Sequence, residues 1–288
     1  MIAIATSLSD VSRSYRVLFV DVWGVIHNGV APIKGASTAL RSARDRGQVV
    51  VLISNAPRLS SEIPHQFARI GVPSDIYDAI VTSGDATREI IRSWSAKDKL
   101  RLYHIGPDRD LSVFEGLDVE RVSLDVATHV VCTGLRDDET ERPEDYDEVL
   151  RAIVARGLPF LCANPDIVVQ RGDKLVYCAG ALARRLEAFG GSAIYPGKPH
   201  VPIYELAMTQ ASVALGRPAK KSDVLAIGDG LATDILGAQR FGVAALFMAE
   251  GIHTGDFRSA GALDPTAVEA ACEKVGVRPI AVMAALAP

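Results

Sequence analysis

Short runs of apolar, mostly β-branched residues alternate along this chain with longer stretches patterned as helices. The clearest runs are VLFVD at 17–21, VVVLIS at 49–54, THVVCT at 128–133, LPFLCA at 158–163 and VLAIGD at 224–229. Between them lie ALRSARDR after Gly35, YDEVLRAIVAR and IYELAMTQASVAL, in which apolar positions recur at helical spacing. A strand that is apolar throughout is covered on both faces. The pattern therefore predicts a parallel sheet with helices on either side, an α/β fold of the Rossmann-like, doubly wound kind. From about 257 a last helix and the apolar segment RPIAVMAAL are expected to complete the core. There is no convincing repeat and no low-complexity tract.

Three of the runs end on a polar residue able to carry chemistry: Asp21, Ser54 and Asp229. Open parallel sheets bind ligands at the C-terminal ends of their strands, so the three endings are expected at one edge. Asp229 lies far down the chain from the other two. Residues from about 83 to about 192 carry a strand and helix pattern of their own. The expected organisation is a core domain, 1–82 and 193–288, with a second α/β domain, 83–192, inserted into it.

Composition narrows the class of function. The chain has 288 residues, 48% of them hydrophobic, enough for one large domain or two smaller ones. Charged residues are 23% and the net charge is -4. No basic stretch is dense enough to track a phosphate backbone, so no nucleic-acid partner is expected. No apolar run reaches membrane-spanning length. The first residues, MIAIATSLSDVSRSY, lack the basic and then apolar regions of a signal peptide. Cys132, Cys162, Cys178 and Cys272 are scattered with no C-x-x-C pair and read as reduced, buried thiols of a cytoplasmic protein.

The chemistry lies at the strand ends. Asp21 follows VLFV, and Gly24 and Gly29 let the chain turn sharply beside it. An aspartate there can cap a helix or simply face solvent; it can also attack phosphorus and form an aspartyl phosphate. In Gly-Asp-Gly-Leu-Ala-Thr-Asp at 228–234, Thr233 is expected as a helix N-cap with Asp234 in the first turn. Asp229 and Asp234 would then face one cleft and offer hard oxygen ligands suited to Mg²⁺, although an aspartate in a first turn also simply complements the helix dipole. Ser54 and Asn55 could hold a phosphate oxygen through the hydroxyl and the following N–H groups, or merely start a turn. Gly197-Lys198-Pro199 places a lysine just before a predicted helix, where it could neutralise a phosphate and a carboxylate together. The G-x-x-x-x-G-K-[ST] spacing of a P-loop is absent.

Taken together, in this order and at these element ends, the four pieces resemble the four motifs of the haloacid dehalogenase (HAD) superfamily. The resemblance covers most of the chain. Asp21 matches the nucleophile of the first motif, Ser54 the second, Lys198 the third, and Asp229 with Asp234 the fourth. The inserted region resembles the C2-type cap of the class IIA branch, which includes NagD-like and p-nitrophenyl-phosphatase-like enzymes. Thr82-Ser83-Gly84, Ala163-Asn164-Pro165-Asp166 and Ala179-Gly180-Ala181 support that branch. The resemblance implies a phosphatase acting on a small phosphorylated metabolite. In it Asp21 attacks the phosphoryl group, Lys198 and Ser54 bind its oxygens, and water hydrolyses the aspartyl phosphate. It implies Mg²⁺ held by Asp21, Asp229 and the backbone carbonyl of Trp23, with Asp234 as a further ligand, directly or through water. It also allows a homodimer through the cap.

One position departs from the family. Most of its phosphatases carry a second aspartate two residues after the nucleophile, to protonate the leaving group and activate water. Here that position is Trp23, and an indole cannot move this proton at neutral pH. General acid–base catalysis typically contributes ~10²–10⁴-fold, so the substitution bears on what is hydrolysed. Three readings are open. The substrate could have a good leaving group, such as an acyl or aryl phosphate. Another residue could substitute, His27 in the same loop being the nearest titratable one. Or the protein could be a sensor that binds a phosphorylated metabolite and turns it over poorly. Candidate substrate contacts are His27 and, in the cap, Asn164, Asp166 and Tyr177 with the charged loop around Arg136. A receiver-like phosphoacceptor fits poorly because it has no inserted cap. A carbon–halogen hydrolase fits poorly because it needs no paired acids for a metal.

Overall fold

The computed structural model describes residues 2–96, 99–171, 174–251, 257–259 and 262–288. The chain divides into two compact units. Unit 1 is Met1–Ser54, Ile63–Val81 and Lys198–Pro288, and unit 2 is Asn55–Glu62 with Thr82–Gly197. The first strands are β1 (Ala3–Ile4), β2 (Val17–Asp21), β3 (Val49–Ser54) and β4 (Ala79–Thr82). Next come β5 (Leu100–Ile105), β6 (Val119–Arg121), β7 (His129–Cys132) and β8 (Phe160–Cys162). A hairpin, β9 (Val168–Arg171) and β10 (Lys174–Tyr177), and β11 (Ala193–Ile194) complete unit 2. Back in unit 1 are β12 (Val224–Gly228), β13 (Ala244–Met248), the short pair β14 (Arg258–Ser259) and β15 (Ala262–Leu263), and β16 (Ala281–Met283).

The sheet of unit 1 has seven strands in the order β1-β16-β13-β12-β2-β3-β4. β2 pairs in parallel with β3 on one side and β12 on the other. From β2 the chain winds outward through β3 to β4; from β12 it winds the opposite way through β13 to β16. The direction switches between β2 and β12, where an open parallel sheet opens its ligand crevice. Every residue of β2 and β12 is buried, as is Val49–Ile53 of β3, which is why these strands read as unbroken apolar runs. The helix Ala36–Asp45 buries Ala36, Ala39, Leu40 and Ala43, the i, i+3, i+4, i+7 stripe of a one-faced helix. After Asp264 caps the helix Pro265–Val275 by accepting from the N–H groups of Thr266 and Ala267, β16 enters the sheet between β13 and β1. Ala281–Met283 of RPIAVMAAL thus forms a buried strand of this sheet.

Unit 2 has a five-stranded sheet, β11-β8-β7-β5-β6, with parallel pairing throughout. Neighbouring residues of a strand face opposite ways. Val130 and Phe160 accordingly pack with Leu150 and Leu182 on one side, and Val131 and Leu161 with Ile91 and Val113 on the other. The limits of unit 2 differ from the expected 83–192. β11 pairs with β8, so a boundary at 192 would cut a strand from its own sheet, and Asn55–Glu62 joins this unit from upstream. All four cysteines are buried; burial pushes the Cys132 thiol up to about 12, so it stays protonated and unreactive. No helix among the described residues is long and apolar enough to cross a membrane.

Candidate functional site

The switch between β2 and β12 brings Asp21 and Asp229 to adjacent strand ends. Asp21 closes β2, and its register partner on β3 is Ile53, so Ser54 stands one residue beyond it on the neighbouring strand. Asp229 follows the last residue of β12. The chain then enters a wide helical turn, Leu231–Ile235, in which the N–H groups of Asp234 and Ile235 donate to the Gly230 carbonyl at 2.8 and 3.1 Å. Gly230, not Thr233, occupies the N-cap position. The turn starts early because glycines at 228 and 230 leave room for the side chain of Asp234 to fold back: a Cβ at Gly228 would strike it. Thr233 instead donates its hydroxyl to Asp234 Oδ2 at 3.2 Å, beside the Gly230 N–H at 3.1 Å.

Lys198 ties these pieces together. Its ammonium, 3% exposed, donates to Asp21 Oδ1 in a short contact, to Asp234 Oδ1 at 2.7 Å and to the Ile53 carbonyl at 3.2 Å. Those bonds engage all three of its donors. Burial alone would lower the pKa of this lysine, but the charges of Asp21 and Asp234 outweigh it and hold the pKa well above the usual value. The Asp21 carboxyl is pushed up as well, toward its neutral form. Burial raises its pKa well above the ordinary range, the charge of Asp234 adds to that, Lys198 opposes it, and Asp229 adds again. Tyr204, fully buried, donates from its hydroxyl to the Asp234 carbonyl at 3.3 Å.

Asp21, Asp229 and Asp234 each offer a ligand oxygen, and these atoms lie within 4.8 Å of one another. Asp21 and Asp234 share one buried ammonium with the Asp229 carboxylate nearby, an excess of acidic groups that a bound cation would offset. The packing around Asp229 fits that purpose. A Cβ added at Gly24 or at Gly251 would land on its carboxylate, so two backbones approach it closely from different parts of the chain. Gly251 carried no sequence signal, because its need arises from a side chain remote in sequence. Tyr204 was missed for the same reason.

Trp23 and His27 occupy the loop after β2. Trp23 forms a bridge with His27, and the Gly24 N–H donates to the His27 carbonyl at 2.9 Å. The indole lies over Gly29, where a Cβ would meet its Cζ2 at 2.7 Å. Its ring meets His27 edge-on at 5.1 Å between centroids. His27 is 1% exposed; its Nδ1 accepts the Gly29 N–H at 2.9 Å, and its ring packs edge-on against Phe67. Burial lowers its pKa to about 4. It is a neutral imidazole with its proton on Nε2, committed to holding the loop.

The remaining candidates fall in unit 2. Asn55 donates its side-chain amide to Asp166 Oδ1 at 2.8 Å. Asn164 is buried, and its Oδ1 accepts the Asp166 N–H at 3.1 Å. Tyr177 ends β10, 39% exposed. Arg136 donates to the Tyr103 hydroxyl at 2.6 Å and lies over the ring of Tyr146.

Known proteins resemble this chain. Residues 18–120 match the family model described as haloacid dehalogenase-like hydrolase, and residues 195–271 match a second, HAD-hydrolase-like model. The crystal structure of a haloacid dehalogenase-like hydrolase from Brucella suis is 44% identical, covers 98% of this chain and 100% of its own, and superposes with a TM-score of 0.86. Ribonucleotide monophosphatase NagD of Escherichia coli is 27% identical over 241 residues, 82% of this chain and 88% of that protein. The 5'-nucleotidase YutF of Bacillus subtilis is 24% identical over 249 residues, 84% of this chain and 89% of that protein.

Proposed function

The chain belongs to the haloacid dehalogenase-like hydrolases, in their NagD-like class IIA branch, and we propose that it is a phosphoric monoester hydrolase using Asp21 as nucleophile on a small phosphorylated metabolite. The observation that carries this reading is Lys198, held between Asp21 and Asp234 in a buried set of three carboxylates. Asp21 attacks phosphorus, the ester P–O bond breaks, and water then cleaves the aspartyl phosphate and returns the carboxylate. Lys198, paired with Asp21 before substrate arrives, supplies positive charge for the phosphoryl oxygens. Ser54, one strand over, offers its hydroxyl to the same group.

Mg²⁺ fits the site: Asp21, Asp229, Asp234 and the Trp23 backbone carbonyl would hold it, Asp234 directly or through water. When bound, it supplies positive charge against the carboxylates and the phosphoryl oxygens. Asp234 has a second task in any case, since both of its oxygens already accept hydrogen bonds that orient Lys198 and the turn. The names of NagD and YutF support nucleotides as one substrate class, beside sugar and cofactor phosphates.

Trp23 sharpens the substrate. With an indole two residues beyond Asp21 and His27 neutral and committed to the loop, the leaving group must depart with little help from the protein. That favours aryl and acyl phosphates over alkyl phosphates. It also supports a second reading, a domain that binds a phosphorylated metabolite as a sensor and turns it over slowly. A hydrolysis screen over aryl, acyl, sugar, nucleoside and pyridoxal phosphates, with and without Mg²⁺, tests both. The phosphatase reading expects Mg²⁺-dependent turnover that Asp21→Asn lowers by more than about 10³-fold. Turnover that survives Asp21→Asn sinks the nucleophile, and binding without turnover of any ester favours the sensor.

A further inference from the structure

The backbone passes between the two units four times, and two of the passages fall beside site residues. Ser54 is the last residue of unit 1 before Asn55, and Gly197 is the last of unit 2 before Lys198. Within unit 2, the two residues on the far side of those passages are packed into one junction. Asn55 donates to Asp166 Oδ1 at 2.8 Å, and the Asp166 N–H donates to Asn164 Oδ1. Gly197 lies against the same group: a Cβ there would meet Asn55 Oδ1 and Ser83 Oγ at 2.7 Å and Pro165 Cδ at 2.8 Å. Two more glycines seat the turns. A Cβ at Gly84 would strike the carbonyls of Pro57 and Arg58, and one at Gly180 those of Pro165 and Asp166. The Gly84 N–H also donates to the Ala56 carbonyl at 3.0 Å.

We infer that Asn55 and Asp166 are positioning residues for phosphate binding: their hydrogen bond, closed over Gly197, sets the paths by which the backbone continues into Ser54 and Lys198. The inference rests on the reading of Ser54 and Lys198 as phosphate-binding groups. It assigns Asn55 to Asp166 rather than to the phosphate itself, and gives Asp166 a task other than contact with the leaving group. Neither side chain needs to touch substrate. A displaced oxygen or ammonium is enough, since misplacement of a binding group by about 1 Å can cost 10²-fold.

The test is a double-mutant cycle with two readouts, turnover of p-nitrophenyl phosphate and binding of inorganic phosphate, both in Mg²⁺. Asn55→Ala and Asp166→Ala should each lower kcat and weaken phosphate binding by about tenfold, and the double variant should lose little more than either, because both break one interaction. Asp166→Asn keeps an acceptor oxygen and should recover most of the loss. Thermal melts of each variant confirm that the compared proteins are folded. Losses that multiply in the double variant, or phosphate binding that both single variants leave unchanged, overturn the inference. So does a loss confined to Asn55→Ala, which would make Asn55 a direct phosphate ligand. Phosphate binding can be read on protein that does not turn over, so failure of the phosphatase reading is seen separately.

Discussion

Trp23 is the residue on which the chemistry turns. Its indole is packed over Gly29 and against His27, and on the proposed function a packed ring at this position supplies no acid to the leaving-group oxygen. Turnover should therefore fall steeply as the leaving group becomes more basic. Trp23→Asp should raise kcat on alkyl phosphates by at least about tenfold, a modest part of the ~10²–10⁴ that general acid catalysis contributes, and should change aryl phosphates little. A series of phosphate esters of graded leaving-group pKa, run on both proteins, checks it; parallel lines for the two would mean that the indole does not limit the rate. Asp21, Ser54, Lys198 and Asp229 could be picked out from the chain because each is a reactive type at an element end. His27 could be picked out only as a titratable neighbour. Its commitment to Gly29 and Phe67 depends on packing that no local pattern encodes.

At the scale of elements, the fully apolar strands announced themselves, since burial on both faces leaves no polar position to break the run. β5 and β13 did not stand out: LRLYHI mixes polar residues into the strand, and AALFM carries no β-branched residue. The turn after β12 was misjudged for a physical reason. Thr233 is a good cap by type, but glycines at 228 and 230 let the backbone coil sooner, so the helical turn opens at Gly230. The loop after β2 and the end of β12 are fitted to each other through Gly24, which has φ +84° and no room for a Cβ beside the Asp229 carboxylate. Gly24→Ala should cost roughly 1–2 kcal/mol of stability from its backbone conformation alone. Its larger effect should be on the acid it displaces. A Mg²⁺ titration of activity should show at least about tenfold weaker activation by the metal. Unchanged Mg²⁺ dependence would show that Asp229 does not serve the metal.

Across the whole molecule, the presence of an inserted α/β region was readable from the distance between Asp21 and Asp229. Its limits were not, because Asn55–Glu62 joins unit 2 through contacts formed far along the chain. Each unit also holds a histidine shielded from solvent, His27 buried in unit 1 and His104 half-buried in unit 2. Burial lowers His27 to about 4; burial, and then the charge of Arg121, lower His104 to about 4. An unfolded imidazole protonates near 6.5, so between 6.5 and 4 the unfolded chain binds more protons and the fold loses stability as pH falls. Above 6.5 the contribution is fully present. From 6.5 to about 4, at ~1.4 kcal/mol per pH unit, the loss is roughly 3 kcal/mol per histidine. Thermal melts across this range should show it, and His27→Gln, which keeps an acceptor for Gly29, should flatten the slope; identical slopes would contradict the assignment. The proposed function depends most on covalent phosphorylation of Asp21. Sodium borohydride converts an aspartyl phosphate to homoserine, so protein quenched during turnover of an aryl phosphate and mapped by peptide mass spectrometry tests it directly. Homoserine is expected at position 21 only when substrate and Mg²⁺ are both present; homoserine at another aspartate, or full turnover with position 21 unmodified, would rule out Asp21 as the nucleophile.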